Sequence, residues 1–282
     1  MLLVRRFDSN NLYKRLARGN PVKIFVINLD TSVDRLRHMT CQLDRLGFAW
    51  ERFPAFGPAQ VEDSAKDLAL PLLRGACTTP EKGVALSHYA IWAMMLDEGI
   101  EHALVLEDDV HFCQDAKKHL ESIDEKITHG LRYDIIKIET FLAGIFVDRE
   151  SVPLTDQTSL HRLRSNHGGA AAYIISREGC RKMIERLATA DRAIDLVMFD
   201  GDLEDMRVFQ LHPALCIQDF LRKQGKTGMV STVGLERSES DERSAWLDRL
   251  KSPFRGGYYF AQTLRVWGDG RMKIRSRYKD QI

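Results

Sequence analysis

The run VKIFVINL at residues 22–29 is almost continuously apolar and rich in β-branched side chains. A strand of this composition offers no polar face to water, so it must be covered on both sides, inside a sheet with helices on each face. Val33, Leu36, Met39, Leu43 and Leu46 follow at helical spacing and Gly47 supplies a stop, predicting a helix over 32–46. Phe48 to Phe56 then reads as a second strand ending at Pro54. Strand, helix, strand is a βαβ unit, for which parallel pairing and a right-handed crossover are expected. The chain should therefore be an α/β protein with a Rossmann-type, mostly parallel sheet flanked by helices.

Further along, Thr78-Thr79-Pro80-Glu81 combines a capping residue, a proline suited to the first helical position and a glutamate suited to the first turn. A helix should start there and end at Gly99, burying Val84, His88, Ile91, Trp92 and Met95. Ala103 to Leu106 is a short apolar strand that runs straight into Glu107-Asp108-Asp109. Strands are also predicted at Asp134–Ile138, Ala170–Ile175, Val208–Leu211 and Ala214–Ile217, with a Ser176-capped helix carrying Met183, Ile184 and Leu187 on one face. From about 235 the sequence turns polar and then basic. The expected organisation is a basic extension over 1–21, a compact domain over 22–234 and a basic, aromatic tail over 235–282.

Charge narrows the partners. The 282 residues carry 41 Lys and Arg against 40 Asp and Glu, so no global field draws the chain to nucleic acid, and no nucleic-acid partner is expected. The balance is uneven, however. Residues 1–23 hold six basic side chains against Asp8 alone, and residues 243–282 hold ten against Asp248, Asp269 and Asp280. Trp246, Phe254, Tyr258, Tyr259, Phe260, Trp267 and Tyr278 lie among the latter. Aromatics mixed with Lys and Arg suit an anionic membrane surface, although a solvated tail or a nucleic-acid patch has the same composition. No apolar run reaches the ~20 residues of a membrane span, and Met1 to Val4 is too short for a signal-peptide core, so a cytoplasmic protein at the inner face of the membrane is expected. The five cysteines are odd in number and form no C-x-x-C pair, which argues against a disulfide framework or a zinc site.

The strongest chemical signal is LVLEDDV at residues 104–110. Carboxylates at the carboxyl end of a strand in an open α/β sheet stand where such folds bind ligands. Clustered oxygen donors suit a hard divalent cation, Mg²⁺ or Mn²⁺, which can stabilise charge on a departing diphosphate. This is what a nucleotide-sugar enzyme needs, and a solvated loop with one capping carboxylate would look the same. A second acidic group, Asp195, Asp200, Asp202, Glu204 and Asp205, competes for the metal. An EF-hand loop counted from Asp200 would need glycine where Asp205 stands, which excludes that form. Asp195, after Ala193-Ile194, is the member best placed for a cleft. Gly168-Gly169 before a strand allows close backbone approach to a ligand, but neither G-x-G-x-x-G nor a P-loop is present. Ser87-His88 lacks the G-x-S-x-G frame of a nucleophile elbow. Arg35 and Arg37, just past the first strand, could reach a diphosphate.

The segments FVINLDTSVDRLRHMTCQLDRLGFAWERFPAF (25–56), GVALSHYAIWAMMLDEGIEHALVLEDDV (83–110) and GGAAAYIISREGCRKMIE (168–185) together resemble glycosyltransferase family 25, in the same order, over roughly residues 22–220. The family includes bacterial lipooligosaccharide galactosyltransferases, and collagen galactosyltransferases contain related domains. The resemblance implies a GT-A-like fold, a UDP-sugar donor, usually UDP-galactose, and inversion to a β-linkage. It places Ile27, Asn28, Leu29, Arg35 and Ala55 in the nucleotide pocket, although Phe56-Gly57 departs from the family's pattern after Pro54-Ala55. Ser87 and His88 match its L-S-H. Glu107, Asp108 and Asp109 match its E-D-D, the counterpart of the D-x-D metal motif.

On that basis Asp109, with Glu107, is the expected metal contact, Glu107 or Asp108 the expected ribose contact, and Asp195 the expected base or acceptor ligand. Asp200, Asp202 and Glu139 are alternatives for the base, and a late histidine such as His212 could complete the coordination. The expected acceptor is a lipid-borne bacterial glycan, with the basic tail holding the enzyme beside it. Transfer to protein hydroxyls, a catalytically silent scaffold and a metal-dependent phosphohydrolase are the competing readings.

Overall fold

The computed structural model describes residues 22–200, 203–222 and 271–281. Among the described residues there are eleven strands: β1 (Lys23–Asn28), β2 (Glu51–Pro54), β3 (His102–Glu107), β4 (Val110–Phe112), β5 (Ile135–Lys137), β6 (Gly144–Pro153), β7 (Ser159–Leu163), β8 (Ala172–Ser176), β9 (Val208–His212), β10 (Cys216–Gln218) and β11 (Arg271–Arg275). The helices are α1 (Val33–Leu46), α2 (Pro58–Asp67), α3 (Pro71–Arg74), α4 (Thr79–Glu98), α5 (Ala116–Thr128), α6 (Arg177–Leu187) and α7 (Ile194–Phe199). No described helix is long and apolar enough to cross a membrane.

Nine strands form one sheet in the order β11-β6-β7-β9-β5-β8-β3-β1-β2, and β10 pairs with β4 apart from it. Six of the nine, β1, β2, β3, β5, β6 and β9, run one way, while β7, β8 and β11 run against them. Burial follows the alternation of the pleat. Phe25 and Ile27 of β1, Ala103 and Val105 of β3, and Tyr173 and Ile175 of β8 join a core that also contains side chains of α2, α4, α6 and α7. Their neighbours Ile24, Val26, Leu104, Leu106, Ala172 and Ile174 join a second core with α1 and α5 on the opposite face. The result is three layers, helix on sheet on helix.

The helix signals in the sequence are realised as hydrogen bonds. Ser32 precedes α1, and Gly47 closes it in a left-handed conformation. At the start of α4 the Thr78 backbone N–H donates to Glu81 Oε2 at 2.8 Å, and Glu81 N–H donates back to Thr78 Oγ1 at 3.4 Å. Ser176 Oγ accepts from Gly179 N–H at 3.0 Å.

Three expectations are corrected. The domain does not end near 234, because β11 pairs with β6 and Tyr278 is buried in the second core. The strand expected at 214–217 forms over Cys216–Gln218 as β10, and it pairs with β4 beside the acidic triplet. The strand expected over 48–56 forms only over Glu51–Pro54. The basic extension (1–21) and most of the aromatic tail, including Trp246 and Trp267, lie outside the described residues.

The topology itself locates a crevice. β1 lies between β2 and β3 and is parallel to both. The connection to β2 passes over one face through α1, and the connection to β3 passes over the other through α4. Between the carboxyl ends of β1 and β3 the connections diverge, which is the switch point where open α/β sheets bind ligands. Asn28 ends β1 there and Glu107 ends β3.

Gly83 sets how closely α4 approaches this edge, since a Cβ at that position would stand 2.4 Å from the backbone carbonyl oxygen of Phe56. Neither backbone can yield without moving its element. Gly83→Ala is therefore expected to cost about 2 kcal/mol or more, lowering the melting temperature by roughly 4–8 °C. A thermal melt equal to that of the wild type would contradict the close approach.

Candidate active site

The residues at the switch point form one connected network. Asn28 Nδ2 donates to Asp108 Oδ2 at 2.7 Å and to the Ser32 carbonyl at 3.0 Å, while Asn28 Oδ1 accepts from Arg52 Nε at 3.0 Å. Both neighbours demand the same orientation of the amide. Arg35, reaching in from the first turn of α1, places NH1 3.0 Å from Asp108 Oδ1 and NH2 3.1 Å from Asp109 Oδ2. Gln218 of β10 donates to Asp109 Oδ1 at 3.4 Å, and the Asp219 backbone N–H donates to the Asp109 carbonyl at 2.9 Å.

One guanidinium does not neutralise three carboxylates. Burial, with the charge of Asp108 next, pushes Glu107 up to about 7. Burial, with the charge of Glu107 next, pushes Asp109 up to about 7 as well. Asp108 is also raised, by burial, against the opposing pull of Arg35 and Asn28. Such a site has hard oxygen donors and excess negative charge, the donor chemistry that suits a divalent cation.

Behind Glu107 runs a buried chain. Trp92 Nε1 donates to Tyr173 Oη at 3.0 Å, and Tyr173 Oη lies 2.7 Å from His88 Nδ1. His88 Nε2 faces Glu107 Oε1 at 3.5 Å. Burial lowers His88 to about 3, so the ring is neutral, and the tautomer that suits Glu107 carries its proton on Nε2. Ser87 has a different place. Its hydroxyl donates to the Gly83 carbonyl at 2.7 Å and accepts from the Phe56 N–H at 3.0 Å, tying α4 to the end of β2. Ala55 is held alongside, its N–H donating to the Asn28 carbonyl at 3.0 Å. Ile27 is buried and Leu29 half-buried at the end of the same strand.

Asp195 is half-buried in α7 and accepts from the backbone N–H groups of Gly169 at 3.3 Å and Leu196 at 2.9 Å. Its charge acts on Glu107, so the two carboxylates belong to one field. Glu139 lies below, fully buried, with Oε1 accepting from Ala171 N–H at 2.7 Å and burial raising it to about 7. The other acidic residues are elsewhere. Asp200 pairs with Arg192, Glu204 with Arg164 and Arg271, and Asp205 with Arg186, as a solvated acidic surface would. Asp202 lies outside the described residues.

His212 does not complete the triplet's surroundings, since its ring stands 6.2 Å from that of His161, with Arg277 nearby. The histidine beside the triplet is His111, two residues beyond Asp109 in β4 and on the same side of that strand by alternation. Its Nε2–H donates to Asp219 Oδ1 at 2.7 Å, its Nδ1 accepts from Arg222 at 2.7 Å, and burial lowers it to about 4.

Residues 22–198 match the profile of glycosyltransferase family 25 (LPS biosynthesis protein), which is more than half of the chain. The chain belongs to glycosyltransferase family 25. It is 31% identical over 231 residues to the lacto-N-neotetraose biosynthesis glycosyltransferase LgtE of Neisseria meningitidis serogroup B, covering 77% of this chain and 82% of that one. It is 33% identical to the lipooligosaccharide biosynthesis protein lex-1 of Haemophilus influenzae, over 59% of this chain and 57% of that one. Among solved structures, a glycosyltransferase involved in the glycosylation of the major capsid of PBCV-1 aligns with TM-score 0.38 and 11% identity, covering 80% of this chain and 98% of that one.

In this family 25 glycosyltransferase a second group of metal-ligand types, among the described residues, stands apart from the triplet. Cys113, Asp115 and Asp280 bring ligand atoms within 4.8 Å of one another. Yet burial pushes the Cys113 thiol up to about 12, and Asp115 is already held by Lys279 at 2.6 Å and His119 at 3.1 Å. A thiol that burial keeps protonated makes a poor ligand for a hard ion. Glu107 and Asp109 offer oxygen donors alone, with Asp109 also bonded to Arg35 and Gln218.

Proposed function

We propose that this glycosyltransferase is an inverting enzyme that moves a hexose, galactose in a β-linkage, from a UDP-sugar onto a lipooligosaccharide or related bacterial surface glycan. The observation that carries the reading is the acidic triplet at the β1/β3 switch point, with Asn28 and Arg35 beneath it and the separate carboxylate of Asp195 in the same field. The relatives' names support the glycan class.

In this reading the nucleotide lies over the ends of β1 and β2, against Ile27, Asn28, Leu29, Arg35 and Ala55, with Ser87 and His88 shaping the wall behind. Glu107 and Asp109 would hold Mn²⁺ or Mg²⁺, which would supply positive charge to offset that developing on the leaving diphosphate. Asp108, fixed by Asn28 and Arg35, orients the triplet and the ribose. Asp195 takes the proton from the acceptor hydroxyl at a carboxylate oxygen as that hydroxyl attacks from the face opposite the diphosphate. The basic, aromatic tail holds the enzyme at the inner membrane beside its acceptor.

The test is turnover of a panel of UDP- and GDP-sugars with a lipooligosaccharide acceptor, with and without Mn²⁺. Metal-dependent transfer from UDP-galactose, giving a β-linked product by NMR, is the expected result. Equal turnover in chelator, or transfer from another donor alone, would overturn the corresponding part.

A further inference from the structure

Lys137, on the last residue of β5, is fully buried, an unusual position for a lysine. Its ammonium donates to three successive backbone carbonyls, those of His167 at 3.1 Å, Gly168 at 2.6 Å and Gly169. Three acceptors use three N–H donors, which a neutral amine does not have, so the arrangement requires the charged form. The Phe199 ring lies 4.1 Å from Nζ, and Glu139 Oε1 stands 3.5 Å away as the counter-charge.

This clasp has a directional consequence. With the carbonyls of 167–169 drawn inward to Lys137, the N–H of Gly169 donates to Asp195 Oδ2. Gly169 has φ +85°, and a Cβ there would stand 3.1 Å from both Glu139 carboxylate oxygens and from Phe141, so the turn is confined from below as well. The remaining Glu139 oxygen, Oε2, is buried without a hydrogen-bond partner, and the nearby ammonium is the charge that compensates it.

We infer that Lys137 is a positioning residue for the transfer reaction: its ammonium, backed by Glu139, sets the 167–169 turn so that the Gly169 N–H holds the Asp195 carboxylate toward the acceptor. The inference rests on the reading of Asp195 as the base. It makes β5, which supplies no residue of the acidic triplet, the support for the acceptor half of the site. A 1 Å displacement of a reacting group can cost about 10²-fold in rate, so a support of this kind is visible kinetically.

The experiment compares Lys137→Met, Asp195→Asn and the double variant with a radiolabelled donor and acceptor, in the full chain. Lys137→Met is expected to lower kcat about 10²-fold while leaving the KM for the donor within about threefold. Combined with Asp195→Asn it should cost nothing further, because both changes remove the same function. Losses that multiply, or a fall in donor affinity equal to the fall in rate, would overturn the inference. An active Asp195→Asn would instead overturn the assignment of the base, a separate failure. Should Lys137→Met not fold, Lys137→Gln keeps a shorter N–H donor, and amide hydrogen exchange supplies the second readout. The Gly169 amide should exchange faster in that variant while those of β8 are unchanged, and unaltered Gly169 protection would count against the clasp.

Discussion

Asp109→Asn should lose transferase activity by on the order of 10³-fold and still melt within a few degrees of the wild-type protein. The two halves of this expectation have separate causes. Asp109 shares Arg35 with Asp108, and the Asp108 contacts to Arg35 and Asn28 persist in the variant, so the crevice keeps its shape. An amide also relieves repulsion, since the charge of Glu107 bears on Asp109 in the wild type. What is lost is an anionic oxygen donor. If Asp109 is a metal ligand, Mn²⁺ should raise the melting temperature of the wild type and leave that of the variant unchanged. Full activity in Asp109→Asn, with Mn²⁺ still stabilising it, would move the metal to another group of residues.

The largest effect on stability from removing a single atom is expected at Tyr173. The Tyr173→Phe substitution deletes the hydroxyl between Trp92 Nε1 and His88 Nδ1, and the three residues are fully buried. Leaving two buried polar groups unpaired costs about 1–3 kcal/mol each, so a loss of roughly 2–5 kcal/mol is expected. In a protein of this size that is a fall of roughly 5–15 °C in melting temperature. The change should also reach the site. Without the Tyr173 hydroxyl, His88 Nδ1 loses its hydrogen-bond donor while Nε2 still faces Glu107, so the ring is held from one side only. The nitrogen-15 shift of Nδ1 would report the lost bond, and a wild-type melt with an unchanged Nδ1 shift would refute the chain.

Where local chemistry decides structure, the sequence was legible. The strand over 22–29, the helix stopped at Gly47, the capping box at Thr78 and Glu81 and the Ser176 cap all stand in the structure because each is written within a few adjacent residues. Strand direction is not written locally. AYIIS of β8 is buried on both faces and looks like any central parallel strand, yet it runs against both β3 and β5. The long β6–β7 hairpin was missed because its outer half, Arg149 to Ser151, is exposed and polar on consecutive residues.

The site divides in the same way. The acidic triplet and Asp195 are visible as residue types, and topology brings them into one field. Lys137 was invisible because a lysine in DIIKI reads as the solvent side of a strand, and only the fold shows three carbonyls waiting for it. Arg52 and His111 were likewise unremarkable in sequence and acquire roles only through Asn28 and Asp219.

One pairing bears on how the chain is made. β11 hydrogen-bonds to β6, although more than a hundred residues of sequence separate them. During synthesis β6 emerges early and, until 271–275 leaves the ribosome, presents an open row of backbone donors and acceptors. The nascent protein thus passes through an interval in which its catalytic half can already be assembled while one flank remains adhesive. Yield in cells should accordingly depend on translation speed and chaperone supply more than the finished enzyme's stability would suggest.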